Sequence, residues 1–171
     1  MDFESPAIRN GVIGGLTAVV VSLLFYVVDT RTFLSFSGFL VWIIYIVFVV
    51  KATREQKRLV DHFDFKEALK TGFLAYVIAS LFYVVFYYVL SNFVDPGLVE
   101  IQREIAVSAI EKMSSIMGEE GTEAALEGIE SQDMTFTLKS ALLTFAGGLI
   151  FPGIIFALIV ASIYKDPKPA V

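Results

Sequence analysis

Side chains able to do chemistry are few in this chain and lie outside its most apolar segments. The single histidine, His62, stands between Asp61 and Asp64 in a basic stretch. An imidazole beside carboxylates becomes a metal ligand when a second histidine or a cysteine completes the set, and the sequence contains neither. His62 therefore reads as a solvated surface residue. The absence of cysteine also excludes disulfides, thiolate metal sites and cysteine nucleophiles. Serines are plentiful, but no Gly-x-Ser-x-Gly elbow and no phosphate-cradling glycine loop occurs. No catalytic residue, cofactor site or metal site is assigned, and the chain is expected not to be an enzyme.

The densest charge lies between Asp95 and Lys139, with ten acidic residues and three basic ones. Glu119, Glu123, Glu127 and Glu130 share one face at helical spacing, where like charges repel. Clustered carboxylates suit hard divalent cations, yet no Asp-x-Asp-x-Asp-Gly loop accompanies them, so a solvated face is expected. Before them Leu98, Ile101, Ile105, Ala109, Met113 and Ile116 recur every three or four residues, with Glu100, Glu104 and Glu111 opposite. That pattern predicts an amphipathic helix ending near Gly118. Asp95-Pro96 is the expected start of this helix, as cap and first-turn proline. Asp133 is the expected cap of the helix after the loop. The apolar face is the candidate partner-binding surface. Lipid headgroups, the second acidic helix or another protein would cover it, and its acidity favours a protein.

These groups hang on four stretches without a charged residue: Asn10 to Val28, Thr32 to Val50, Thr71 to Val94 and Ser140 to Tyr164. A helix rises about 1.5 Å per residue, so roughly 20 apolar residues cross the hydrocarbon layer. With 56% hydrophobic residues in 171, the chain is too apolar and too small to bury this surface as a water-soluble globule. The expected fold is all-α: an integral membrane four-helix bundle, one domain over residues 1–171, with an acidic helical excursion (95–139) between the third and fourth spans. The acidic N-terminus and the long first run predict a retained helix, not a cleaved signal.

Asp29-Thr30-Arg31 is short enough to force the first two helices into an antiparallel hairpin. Lys51 to Lys70 carries six of the thirteen basic residues. With Arg9, Lys165 and Lys168 this puts nine on one side and four on the other, so both termini are expected in the cytoplasm. Asp64 and Glu67 have the spacing of a capping box for the third helix.

Three features fall inside the spans. Tyr76, Ser80, Tyr83, Tyr87 and Ser91 form a polar stripe on the third helix, opposite Ile78, Phe82, Val85 and Val89. It is expected to face the bundle interior as interhelical glue, with a substrate path as the sharper reading. Gly11 and Gly15, continued by Ala18 and Ser22, give the first helix a side that another backbone can approach closely. Pro152 has no amide hydrogen to donate to the Gly148 carbonyl, which predicts a kink or break in the fourth helix.

The Asn10-Gly11 to Gly15 segment, the basic loop into Phe63-Asp64-Phe65-Lys66-Glu67-Ala68-Leu69, the Asp95-Pro96 start of a glutamate-rich excursion and the proline-interrupted last helix together resemble the bacterial domain-of-unknown-function family 4199. That resemblance implies four spans and residence in a bacterial inner membrane, and brings no activity or functional residue. The expected role is a non-enzymatic accessory or scaffolding component in the lipid bilayer, binding another membrane or envelope protein or a second copy of itself. No nucleic-acid partner is expected. The alternative is a small transporter or channel-like subunit built on the Pro152 break.

Overall fold

The computed structural model describes residues 5–167. Asp2, Glu4 and Lys168, which enter the reading of the N-terminus and of the charge balance, lie outside them. Helix α1 (Pro6–Val28) starts on a proline, whose missing amide hydrogen has no partner to lose in a first turn. The chain reverses at Asp29, whose carboxylate accepts the Thr32 amide at 2.6 Å and starts α2 (Thr30–Lys57). The predicted hairpin forms. Helix α2 outruns its charge-free stretch because that stretch marks only the part fitted for hydrocarbon. The lysines, arginine and glutamine beyond it are good helix formers in any solvent.

Helix α3 (Phe65–Val89) begins at Asp64, whose carboxylate accepts the Glu67 amide at 2.7 Å. Only half of the expected box forms. The Glu67 side chain accepts from Gln56 of α2 at 3.1 Å, which ties two helices together. A wider turn, Leu90–Val94, closes α3 with the Asp95 amide on the Leu90 carbonyl.

Helix α4 (Leu98–Ser131) starts later than Asp95-Pro96 predicts. Asp95 is held in a turn, accepting the Gly97 amide at 3.2 Å and the Tyr26 hydroxyl at 3.0 Å. Gly118 breaks α4 as expected, at φ 75° and ψ 172°, a conformation open to glycine and hardly to other residues. Arg103 donates to the carbonyls of Ile129 at 2.6 Å and Gln132 at 3.2 Å. The halves 98–117 and 119–131 therefore fold back side by side, with the guanidinium serving the free carbonyls of the second. The following cap is Thr137, not Asp133. Asp133 folds onto the Thr135 amide at 2.9 Å, and Thr137 accepts from Ser140 to start α5 (Leu138–Gly148). Helix α6 (Ile154–Tyr164) completes the fourth span. Among the described residues four segments are long and apolar enough to cross a membrane: Pro6–Val28, Thr30–Lys57, Phe65–Val94 and Leu138–Tyr164.

Helix α3 is central, touching α1, α2, α5 and α6. Between helices in lipid there is little hydrophobic drive, so close van der Waals contact and hydrogen bonds must hold them. The small side of α1 supplies that contact within the chain. A Cβ on Gly15 would lie 2.7 Å from the Phe82 Cβ and 3.1 Å from the Ala79 carbonyl oxygen, and one on Gly11 would meet Ile78. Ile78 and Phe82 thus press on α1, while Leu81, Val85 and Val89 are exposed on α3.

Polar contacts close the end where the first helix starts and the last finishes. Arg9 and Asn10 both donate to Glu55, at 2.7 and 2.6 Å. Lys57 pairs with Asp166 at 2.7 Å and donates to the Tyr164 carbonyl, while the Phe63 amide donates to the Asp166 carboxylate. Phe63 itself is fully buried against Ala68 and Ala161.

Candidate functional site

The fourth span does not merely bend at Pro152; it breaks. Phe151 has extended backbone (φ −141°, ψ 113°) between α5 and α6. Pro152 lacks the amide hydrogen a continuous helix would use there. A Cβ on Gly153 would stand 2.6 Å from the Tyr76 ring, so the ring of α3 fills the space beside the break. The predicted polar stripe and the predicted break are thus one site, which their positions in the sequence do not reveal.

Above the break, α5 packs on α3 and stands off α2, whereas α6 packs on both. The gap between α2 and α5 is a groove of two adjoining chambers. One, of about 320 Å³, lies among Tyr45, Tyr76, Ser80, Gly148 and Pro152. The other, of about 280 Å³, lies among Ser37, Tyr87, Gln102 and Phe136. Tyr83 stands between them, lining both, with its hydroxyl 3.4 Å from the Ser37 hydroxyl and its ring stacked on Tyr87 at 6.4 Å. At the outer mouth Gln102 of α4 donates to the Tyr87 hydroxyl, and Tyr87 meets Phe136 edge-on at 4.9 Å. Ser91, last in the stripe, is buried and donates to the Tyr87 carbonyl at 2.7 Å, so it serves its own helix.

Among the described residues no charged side chain lines either chamber. The groove is also closed at its inner end. Beneath Tyr76, a Cβ on Gly72 would lie 3.3 Å from both Thr53 and Val49, and Ala52, Ala157 and Ala161 are buried around it. What this arrangement can do is hold an uncharged molecule that enters from the side.

The second candidate, the apolar face of α4, is graded along its length. Leu98 is completely buried against Phe33 and Leu90, and Ile101 and Ile105 are half-buried. Arg31 of α2 pins this root through Glu104 at 2.7 Å. Met113 is 50% exposed and Ile116 81%, so the second acidic helix does not cover the tip. A crevice of about 510 Å³ opens there between Ser114, Gly118, Glu119, Thr122 and Leu126. Among the described residues no three metal-ligating side chains come together.

Outside the spans, Lys57 and the Phe63 amide hold the Asp166 carboxyl below its ordinary value, and bonds to Thr135 do the same for Asp133. Sequence reasoning missed Glu55, Gln102, Arg103 and Asp166. Glu55 alone carried a signal, as the one acidic residue among the bases of Lys51 to Arg58 facing an asparagine in the first span.

Four apolar spans, three of them packed around the fourth, α3, with no strand among the described residues, define an all-helical multi-pass membrane protein. The chain matches the family described as "Protein of unknown function (DUF4199)" over residues 9–166, and it belongs to that family. No curated protein and no solved structure matches it.

Proposed function

We propose that this protein is a non-enzymatic accessory or scaffolding component of a bacterial cytoplasmic membrane, with both termini in the cytoplasm and the α4 hairpin on the other side. The hairpin tip binds another membrane or envelope protein, or a second copy of the chain. One observation carries this reading: the apolar face that begins buried at Leu98 ends with Ile116 81% exposed, on an acidic element standing clear of the bundle. A tip that is apolar on one side and acidic on the other suits a partner surface with an apolar centre and a basic rim.

A photo-crosslinking residue at Ile116, followed by mild-detergent purification and mass spectrometry, tests it. A defined adduct that is absent when the crosslinker sits at Leu81, on the exposed side of α3, supports the reading. Lipid adducts alone would overturn it. A reporter fused near Gly118 that is active only in the cytoplasm would reverse the orientation. The transporter reading is weaker, because the groove at Pro152 ends on close-packed Gly72 and Ala157.

A further inference from the structure

The inner chamber is built for something the chain itself does not supply. Tyr45, Tyr76 and Pro152 all lie inside the charge-free stretches Thr32 to Val50, Thr71 to Val94 and Ser140 to Tyr164, with Tyr45 and Tyr76 each five residues from an end, so the chamber sits within the hydrocarbon layer, roughly 8 Å from its edge at about 1.5 Å per residue. Two of the tyrosines on the groove have hydroxyl partners: Tyr83 has Ser37 and Tyr87 has Gln102. Tyr45 and Tyr76 have none among the described residues, although these residues are buried, at 4% and 3% exposure. A hydroxyl in hydrocarbon without a partner is costly. A ligand in the chamber would supply the missing acceptor.

Three constraints narrow that ligand. It is uncharged, since an ion at this depth needs a counter-charge and the chamber lining has none. It comes from the membrane, because the groove opens sideways between α2 and α5 and is closed below. It also carries acceptor oxygens inside the hydrocarbon layer, which a phospholipid does not. The headgroup and ester oxygens of a phospholipid stay near the interface, roughly 15 Å from the midplane, half of a hydrocarbon core about 30 Å thick. Only its methylenes would reach Tyr45 and Tyr76. The walls favour a flat head: Tyr45 and Tyr76 meet edge-on at 5.4 Å, with Trp42 and Phe145 beside them. At about 320 Å³ the chamber is at the small end of ligand sites. Gly38, where an added Cβ would meet nothing within 4 Å, leaves room for a tail beside Tyr83.

We propose that the groove binds a neutral isoprenoid-quinone-type lipid, its ring in the inner chamber with carbonyl oxygens accepting from Tyr45 and Tyr76, and its tail leaving between α2 and α5. The chain's only tryptophan, Trp42, lines the chamber and reports on it directly. In the full-length protein in nanodiscs of uncharged phospholipid, decylubiquinone should quench Trp42 fluorescence saturably above the linear collisional background. Tyr76→Phe and Tyr45→Phe, which keep the ring and lose the hydroxyl, should each weaken binding about fivefold. Gly38→Leu should abolish the saturable component, and decylbenzene, a tail with a ring but no oxygens, should not compete. Strictly linear quenching overturns the proposal. So does saturable quenching that all three variants share, which places the binding elsewhere, and so does competition by decylbenzene, which makes the groove a hydrocarbon slot. Should one tyrosine variant fail to fold, the other and Gly38→Leu decide.

Discussion

The two ends of this bundle are assembled on opposite principles. At the end holding the start of α1 and the end of α6, glycine and alanine let backbones touch: Gly11 and Gly15 against α3, and Gly72 against α2, with Ala157 and Ala161 buried alongside. Polar latches through Glu55 and Asp166 then close it. At the hairpin end the same helices are spaced by rings, with Phe33, Tyr83, Tyr87 and Phe136 meeting stacked, tilted or edge to face, and chambers remain between them. Small residues give density and leave no room; aromatic spacers hold helices at a distance and leave cavities with defined walls. The closed end is the frame, and the open end is where a ligand or partner has access.

This contrast is broken most directly by Gly15→Leu, which drives a branched side chain into Phe82 and the α3 backbone. Overpacking typically costs about 1–3 kcal/mol and more where backbone blocks relaxation, so the expected outcome is loss of folded protein, read by size-exclusion chromatography in mild detergent. An unaltered elution profile would show that the frame is looser than its distances imply. Next is Leu98→Ala, expected to destabilise by about 2–5 kcal/mol through the cavity left at the root of α4. Ile116→Ala at the exposed tip should change stability within about 0.5 kcal/mol, and thermal unfolding of the pair reads the difference.

A sharper probe uses neighbouring glycines of the fourth span. Gly153→Ala sets a methyl against the Tyr76 ring and should cost about 1–3 kcal/mol. Gly147→Ala meets nothing within 4 Å and should stabilise α5 by about 0.5–1 kcal/mol. Equal effects would remove the groove from the picture. The smallest effect belongs to Asp166. Its folded value is depressed by Lys57 and the Phe63 amide, so its contribution is full above the ordinary 3.8 and disappears as pH falls through the folded value. Hydrogen exchange of residues 58–64 should rise below pH 4 and rise likewise in Asp166→Asn at neutral pH, with the hairpin end unchanged.

The spans were legible because absence of charge over some 20 residues has one strong physical meaning. Asp64 and Gly118 were legible because a cap and a left-handed break need particular side chains. Asp95 and Asp133 misled for a shared reason. Each can bond its own neighbour two residues on, and Asp95 also accepts from Tyr26, a residue of α1 far away in the sequence. The stripe and the break were each visible, but not their meeting, since that depends on which helix lies opposite Gly153. The latch at Asp166 was hidden because Lys57, Phe63 and Asp166 belong to segments that only the packing of α6 brings together.

One residue governs the overall length of the excursion. The reversal of α4 turns at Gly118, with no described neighbour within 4 Å of where its side chain would be, and Arg103 ties the two halves together. Alanine there would favour continuing the helix, and 34 residues without a break reach roughly 50 Å at about 1.5 Å each. The break at Gly118 thus keeps the excursion a folded knob where an unbroken helix of the same length would be a rod as long as the membrane is thick.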